Sequence, residues 1–190
     1  MKVRISRLLF PVTTLGPGHR VGLWFQGCSI RCPGCVSLDT WADDGPLTET
    51  AEVLDALRRH LSRCDGLTVS GGEPFDQPDA LAAVLGGWRA MGGGDVLVFT
   101  GRELEDVEPW LETHSGLVDA LMTGPFRSDL PATRLMRGSD NQQLHVFGEA
   151  GGRFAAYDRP SSPSDRRLDV AFEPDGTAWF AGIPARGDLA

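Results

Sequence analysis

The chain has 190 residues, 41% of them hydrophobic, enough for one globular domain with a sizeable core and too few for a second full one. A formal net charge of -8 argues against a nucleic-acid footprint, and Arg58, Arg59 and Arg63 read as a solvated helix face. No apolar run approaches the ~20 residues of a membrane span, Pro11 and two threonines interrupt the N-terminal apolar patch, and four cysteines without a secretory signal read as ligands or free thiols in a reducing cytoplasm.

In chain order, "VGLWF" (21–25) reads as a buried strand running into a cysteine-rich loop. Thr48 is an expected N-cap for a helix with Glu49 and Glu52 in its first turn, Val53, Leu57 and Leu61 on one face, and Gly66 as its stop. "GLTVS" (66–70) is the next strand. Leu81, Val84, Leu85, Trp88 and Met91 keep helical spacing until the glycines at 92–94, and "DVLVFT" (95–100) follows as a strand. A short helix from Glu103 should be limited by Pro109, while "GLVDALM" (116–122) and "LHVFG" (144–148) are further strands. This order predicts an α/β fold with a parallel sheet, wound the same way repeatedly. "YDRPSSPSDRR" (157–167) is a polar link, and 168–182 reads as a hairpin turning at Pro174, Asp175 and Gly176 and added to the sheet.

Cys28, Cys32 and Cys35 have the spacing C-x3-C-x2-C, close enough for one loop to wrap a metal centre, with Gly27, Pro33 and Gly34 allowing tight turns. Structural zinc or an ordinary ferredoxin cluster needs a fourth ligand, which Cys64, His19 or His60 would have to supply. Three thiolates alone would leave one metal position open for a ligand to bind directly, and the spacing favours such an iron-sulfur site over structural zinc. Cys64 reads as a buried or free thiol. His19, His60, His114 and His145 have no paired carboxylate at a telling spacing, Trp24 and Trp41 flank the cysteine loop as shield or core, and Trp88 belongs to the core.

The cysteine motif after a strand, followed by "SGGEP" (70–74), resembles the radical S-adenosylmethionine superfamily. "GPGHR" (16–20), "QGCSIRCPGC" (26–35), "TW" (40–41), "LTVSGGEPFDQ" (67–77), "FTGRELED" (99–106), "VDALMTGPFRSDL" (118–130) and "RGSDNQQL" (137–144) are similar, in order, to the glycyl-radical-enzyme activating enzymes, above all those of the anaerobic ribonucleotide reductases. The resemblance covers roughly residues 16–148 and implies a partial, open (β/α) barrel of about six strands. A core of 1–148 would carry an extension, 149–190, packed on the same domain. It further implies a [4Fe-4S] cluster held by Cys28, Cys32 and Cys35, with S-adenosyl-L-methionine bound by Ser70, Gly71, Gly72, Glu73 and Pro74, by Thr100 and Gly101, and by Ser139 and Asn141. Arg20 and Arg137 are weaker candidates for contact with cofactor or partner. In such enzymes one electron from a flavodoxin- or ferredoxin-type donor cleaves the cofactor to methionine and a 5'-deoxyadenosyl radical. That radical abstracts a hydrogen atom, here from a glycine of a protein substrate.

Val36 and Ser37 stand where those enzymes have Tyr-Asn, Phe99 where they have Tyr, and Gln143 where they have Arg. The tail and the closing "GIPARGDL" (182–189) suggest divergence toward another partner. Two other readings therefore stand beside the activase: a tailoring enzyme using the same radical on a small molecule or peptide, and a non-catalytic iron-sulfur or zinc protein.

Overall fold

A computed structural model describes residues 1–184. Nine strands and three α-helices are present among them, besides short 3₁₀ segments: β1 (Lys2–Val12), β2 (Arg20–Phe25), β3 (Leu47–Glu49), α1 (Thr50–Arg58), β4 (Gly66–Gly71), α2 (Pro78–Ala90), β5 (Asp95–Phe99), α3 (Leu104–Thr113), β6 (Ala120–Thr123), β7 (Gln143–Val146), β8 (Leu168–Phe172) and β9 (Ala178–Gly182). Seven strands form one sheet in the order β3-β1-β2-β4-β5-β6-β7. Its centre, β2-β4-β5-β6, is parallel, as βα crossovers require. The fold is thus mixed α/β, but it is not wound one way throughout, because β1 pairs antiparallel with β2 and β3, and β7 antiparallel with β6.

The central strands are buried on both faces, and alternation sorts their side chains. Val21, Leu23, Phe25, Val69, Val98 and Leu121 point into the core beneath the helices. Trp24, Leu97, Ala120 and Met122 point to the other face, where Met136, Phe154 and Ala181 cover them. That second face holds the site.

Several expected boundaries move. Thr48 lies in β3, and α1 begins at Thr50 with Glu49 in the N-cap position. α1 ends at Arg58, so Gly66 opens β4 instead of stopping the helix. Pro109 sits inside α3, which continues to Thr113; the ring removes one helical N–H, and Val107 still buries its side chain. β8 and β9 form the expected hairpin as a separate two-stranded sheet, not as an addition to the main one. Asp169 fastens it, accepting hydrogen bonds from the backbone N–H and hydroxyl groups of both Thr13 and Thr14 at 2.7 to 3.0 Å. Residues 185–189 of "GIPARGDL" lie outside the described residues. Among the described residues no helix is long and apolar enough to cross a membrane.

Arg20 is not a surface residue. It is fully buried at the start of β2, where Asp95 pairs with it at 2.5 Å and Thr68 and the Leu67 carbonyl accept its remaining N–H groups. Trp88 is fully buried and donates to the Gly94 carbonyl.

Candidate active site

Parallel strands in register put their carboxyl ends side by side, so the loops after β2, β4 and β5 meet at one edge of the sheet. A cavity of about 830 Å³ opens there, near the upper end of what small-ligand sites enclose. Cys28, Cys32 and Cys35 line it, each half-buried and free of disulfide.

The cysteine loop is held by backbone bonds to the stretch that follows it. The Gly27 and Cys28 N–H groups donate to the Thr40 and Trp41 carbonyls, which gives "TW" a structural role. Asp76 accepts from the Ser29 N–H and hydroxyl and pairs with Arg102, and Gln77 bonds both Arg4 and Gln26. These clamps lie within the quoted "FDQ" but carry no signal of their role until the fold is known.

Gly71 and Gly72 are required by close packing of protein on protein. A Cβ on Gly72 would stand 1.9 Å from the Gly27 carbonyl oxygen, and Gly71 has φ +109 with Phe25 backbone 2.5 Å from the same position. The glycines thereby lock the end of β4 to the cysteine loop. Glu73 is buried, with one oxygen accepting from the Phe75 N–H and the Thr100 hydroxyl and the other from the Gly101 N–H. Burial pushes its pKa up, while those donors favour the carboxylate. Glu73, Thr100 and Gly101 thus join the ends of β4 and β5.

Cys28, Cys32, Cys35, Ser70, Gly71, Gly72, Glu73, Thr100 and Gly101 all reach the cavity wall. Ser70 has no protein partner for its hydroxyl among the described residues, leaving it free for a ligand. Pro74, Ser139 and Asn141 lie outside the lining. Pro74 is buried in a 3₁₀ turn, the Ser139 hydroxyl accepts the Arg127 N–H, and Asn141 donates to the Pro125 carbonyl. Arg137 does reach the wall, tied to the Gln142 carbonyl and to Asp158. Trp24 and Trp41 line the cavity, Trp24 also packing in the core.

Sequence reasoning missed Arg7. Its guanidinium lies between the rings of Trp24 and Trp179, pairs with Asp39, and reaches the cavity wall. Its Nε and the Trp41 Nε1 are buried donors without a partner, which suits a ligand bearing acceptor oxygens or nitrogens.

The thiols also suit an iron centre. Burial raises the pKa of Cys28, opposed by the Arg31 and Ile30 N–H groups and reinforced by the Glu73 and Asp76 charges. Burial raises that of Cys32, and repulsion from Cys35 and Cys28 adds to it. Iron between them would take the place of the thiol protons and offset the cost of desolvating neighbouring sulfur charges. The Ser37 N–H donates to Cys35 Sγ at 3.4 Å, the kind of bond that tunes a cluster's potential. Among the described residues no three His, Cys, Asp or Glu side chains converge as they would on a single ion; a polynuclear cluster spreads its ligands over different irons. Cys64 precedes β4 at the opposite end of the sheet, about 17 Å away along the strands, with its thiol near the Leu61 carbonyl. The histidines keep to local contacts: His60 on Phe10, His114 on Trp110, and His145 with the Thr123 hydroxyl.

The family described as "4Fe-4S single cluster domain" matches residues 14–145. The anaerobic ribonucleoside-triphosphate reductase-activating protein of Enterobacteria phage T4 is 37% identical over 135 residues, covering 68% of this chain and 85% of its own. The protein of that name from Salmonella typhi is 33% identical over 145 residues, 72% of this chain and 94% of its own. The pyruvate formate-lyase-activating enzyme of Clostridium pasteurianum is 43% identical over 75 residues, 37% of this chain and 32% of its own. Three cysteines spaced for a cluster, a glycine-locked strand end beside them and these relatives agree: the chain belongs to the radical S-adenosylmethionine family of glycyl-radical-enzyme activating proteins, enzymes that use a [4Fe-4S] cluster and S-adenosylmethionine.

Proposed function

We propose that this enzyme takes a hydrogen atom from a glycine of a protein substrate, and that the substrate is an anaerobic ribonucleoside-triphosphate reductase, for which its relatives are named. The observation that carries this reading is the meeting of Cys28, Cys32 and Cys35 with Ser70, Gly71 and Gly72 on the wall of one cavity of about 830 Å³. When bound, the cluster and S-adenosylmethionine supply one-electron reduction and hydrogen-atom abstraction.

The three thiolates would hold the iron. Ser70, Gly71, Gly72, Thr100 and Gly101 would seat the cofactor, with Glu73 fixing the last two and Pro74, Ser139 and Asn141 supporting the wall from behind. Trp24, Phe99, Leu135 and Met136 make part of that wall apolar, which keeps water from a reactive radical. Val36 and Leu38, 58% and 57% exposed beside Cys35, would offer a landing surface to a flavodoxin- or ferredoxin-type donor. We further propose an incompletely closed barrel, a core of 1–148 with an extension from 149, and a cytoplasmic setting. The unpaired edges β3 and β7 among the described residues support the first.

The test is anaerobic reconstitution with iron and sulfide, reduction, and chromatography of 5'-deoxyadenosine, with and without a reductase carrying its glycine loop. Cluster-dependent product and a glycine-centred radical signal are expected. A full cluster with neither product nor signal in the presence of the reductase overturns the proposal.

A further inference from the structure

The family match ends at residue 145, yet the chain continues with a tail that supplies part of the cavity wall: Arg166, Arg167, Trp179, Phe180 and Ile183 all line it. The tail is tied to the body of the fold at several points. Asp169 takes four hydrogen bonds from Thr13 and Thr14, and Trp179 covers Arg7. A capping box joins Ser162 and Asp165, which also pairs with Arg159. Arg166 and Arg167 follow that turn directly, so their backbone is set before any ligand arrives.

Charge at this wall opposes that of the whole molecule. The chain carries -8, but Arg134 and Arg137 share a single carboxylate, Asp158, and Asp165 is taken by Arg159. Arg166 and Arg167 are exposed and have no ion partner among the described residues. Next to them, the outer face of the hairpin presents Val170 opposite Phe180, with Phe172 beyond, 77% exposed. Exposed arginines beside exposed aromatic and aliphatic side chains are the composition of a protein-binding hot spot.

We infer that the tail is a docking lip for an acidic segment of the protein substrate, with Arg166 and Arg167 meeting its carboxylates and Val170, Phe172 and Phe180 its apolar side chains. This rests on the activase reading for the nature of the substrate. Charge complementarity commits it to an acidic partner: a basic segment would meet two guanidinium groups that have no ion partner among the described residues. Phe180 is half-exposed and also contributes to the cavity lining, so a segment held on the lip lies beside the cavity wall.

The experiment uses the full chain with its cluster and two fluorescein-labelled peptides centred on glycine. One is flanked by aspartate and glutamate; in the other lysine replaces them. Anisotropy should show binding of the acidic peptide only. Arg166→Glu with Arg167→Glu should weaken it about tenfold or more, whereas Arg58→Glu with Arg59→Glu, an equal change of charge at the C-terminal end of α1, should not. Phe172→Ser, which alters no charge, should weaken it as well. Circular dichroism verifies that each variant is folded. Equal loss in both charge-reversed proteins, no preference between the peptides, or displacement by inorganic phosphate but not by sodium chloride of equal ionic strength overturns the inference. Cofactor cleavage is measured separately: its failure with selective peptide binding intact removes the activase reading alone, and the converse removes only the lip.

Discussion

At the scale of single residues, the ligand assignment separates four chemically identical thiols by position. Alanine at Cys28, Cys32 or Cys35 should abolish the cluster's visible absorbance and 5'-deoxyadenosine formation. Alanine at Cys64 should preserve both, because that thiol lies at the far end of β4 and outside the cavity lining. Glu73 makes a different kind of prediction. Glutamine there would turn one acceptor into a donor facing either the Gly101 N–H or the Phe75 and Thr100 donors, costing about 1–3 kcal/mol in urea unfolding. A Glu73→Gln protein as stable as the wild type would show that the carboxylate does not brace the two strand ends.

At the scale of elements, the tail's attachment depends on ionised carboxylates. Hydrogen bonds from Arg134 and Arg137 hold the Asp158 carboxyl below its usual range, and Arg159 and Ser162 do the same for Asp165. A folded-state pKa below the unfolded value, near 3.9, means that the stabilisation is present above that value and lost as the pH falls through the folded one. On acidification below about pH 4, pepsin should cut the 158–167 link before circular dichroism reports loss of the core. Asp169→Ala should loosen the hairpin at neutral pH, since it strands the Thr13 and Thr14 N–H groups; unchanged resistance to proteolysis would show that packing of Trp179 and Ala181 suffices. Pro109 is instructive at this scale too. Helix α3 accepts the lost N–H because Val107 and its neighbours still pack against the core, so a local breaker gives way to tertiary contact.

At the scale of the whole molecule, Arg20 joins β2 to β5 beneath the sheet while Arg153, from the tail side, reaches the same Asp95. Arg20→Ala would leave a buried carboxylate with one partner and open a space beside Phe154. The expected loss is about 3–5 kcal/mol, toward the lower figure because Arg153 remains. Denaturant unfolding measures it, and a loss under about 1 kcal/mol would show that Asp95 is satisfied without Arg20.

The chemistry was legible in the chain through a resemblance: three cysteines at a spacing one loop can close, followed by a glycine pair at a strand end, are the pattern that the family shares. The sequence by itself determined the central strands, because segments buried on both faces must be continuously apolar. Only the tertiary structure decided the rest. β1 was hidden because its Arg4, Ser6 and Arg7 look like surface residues until partners from distant segments, Asp43 and Asp39 for the two arginines, are brought to them. The fate of Arg20 turned on Asp95, 75 residues away. The glycines of "SGGEP" proved to serve contact with Gly27 and Phe25, and the tail became a wall of the cavity through Thr13, Thr14 and Arg7. Each of these depends on a pairing across the chain, which no local pattern encodes because the interaction energy belongs to two separated segments at once.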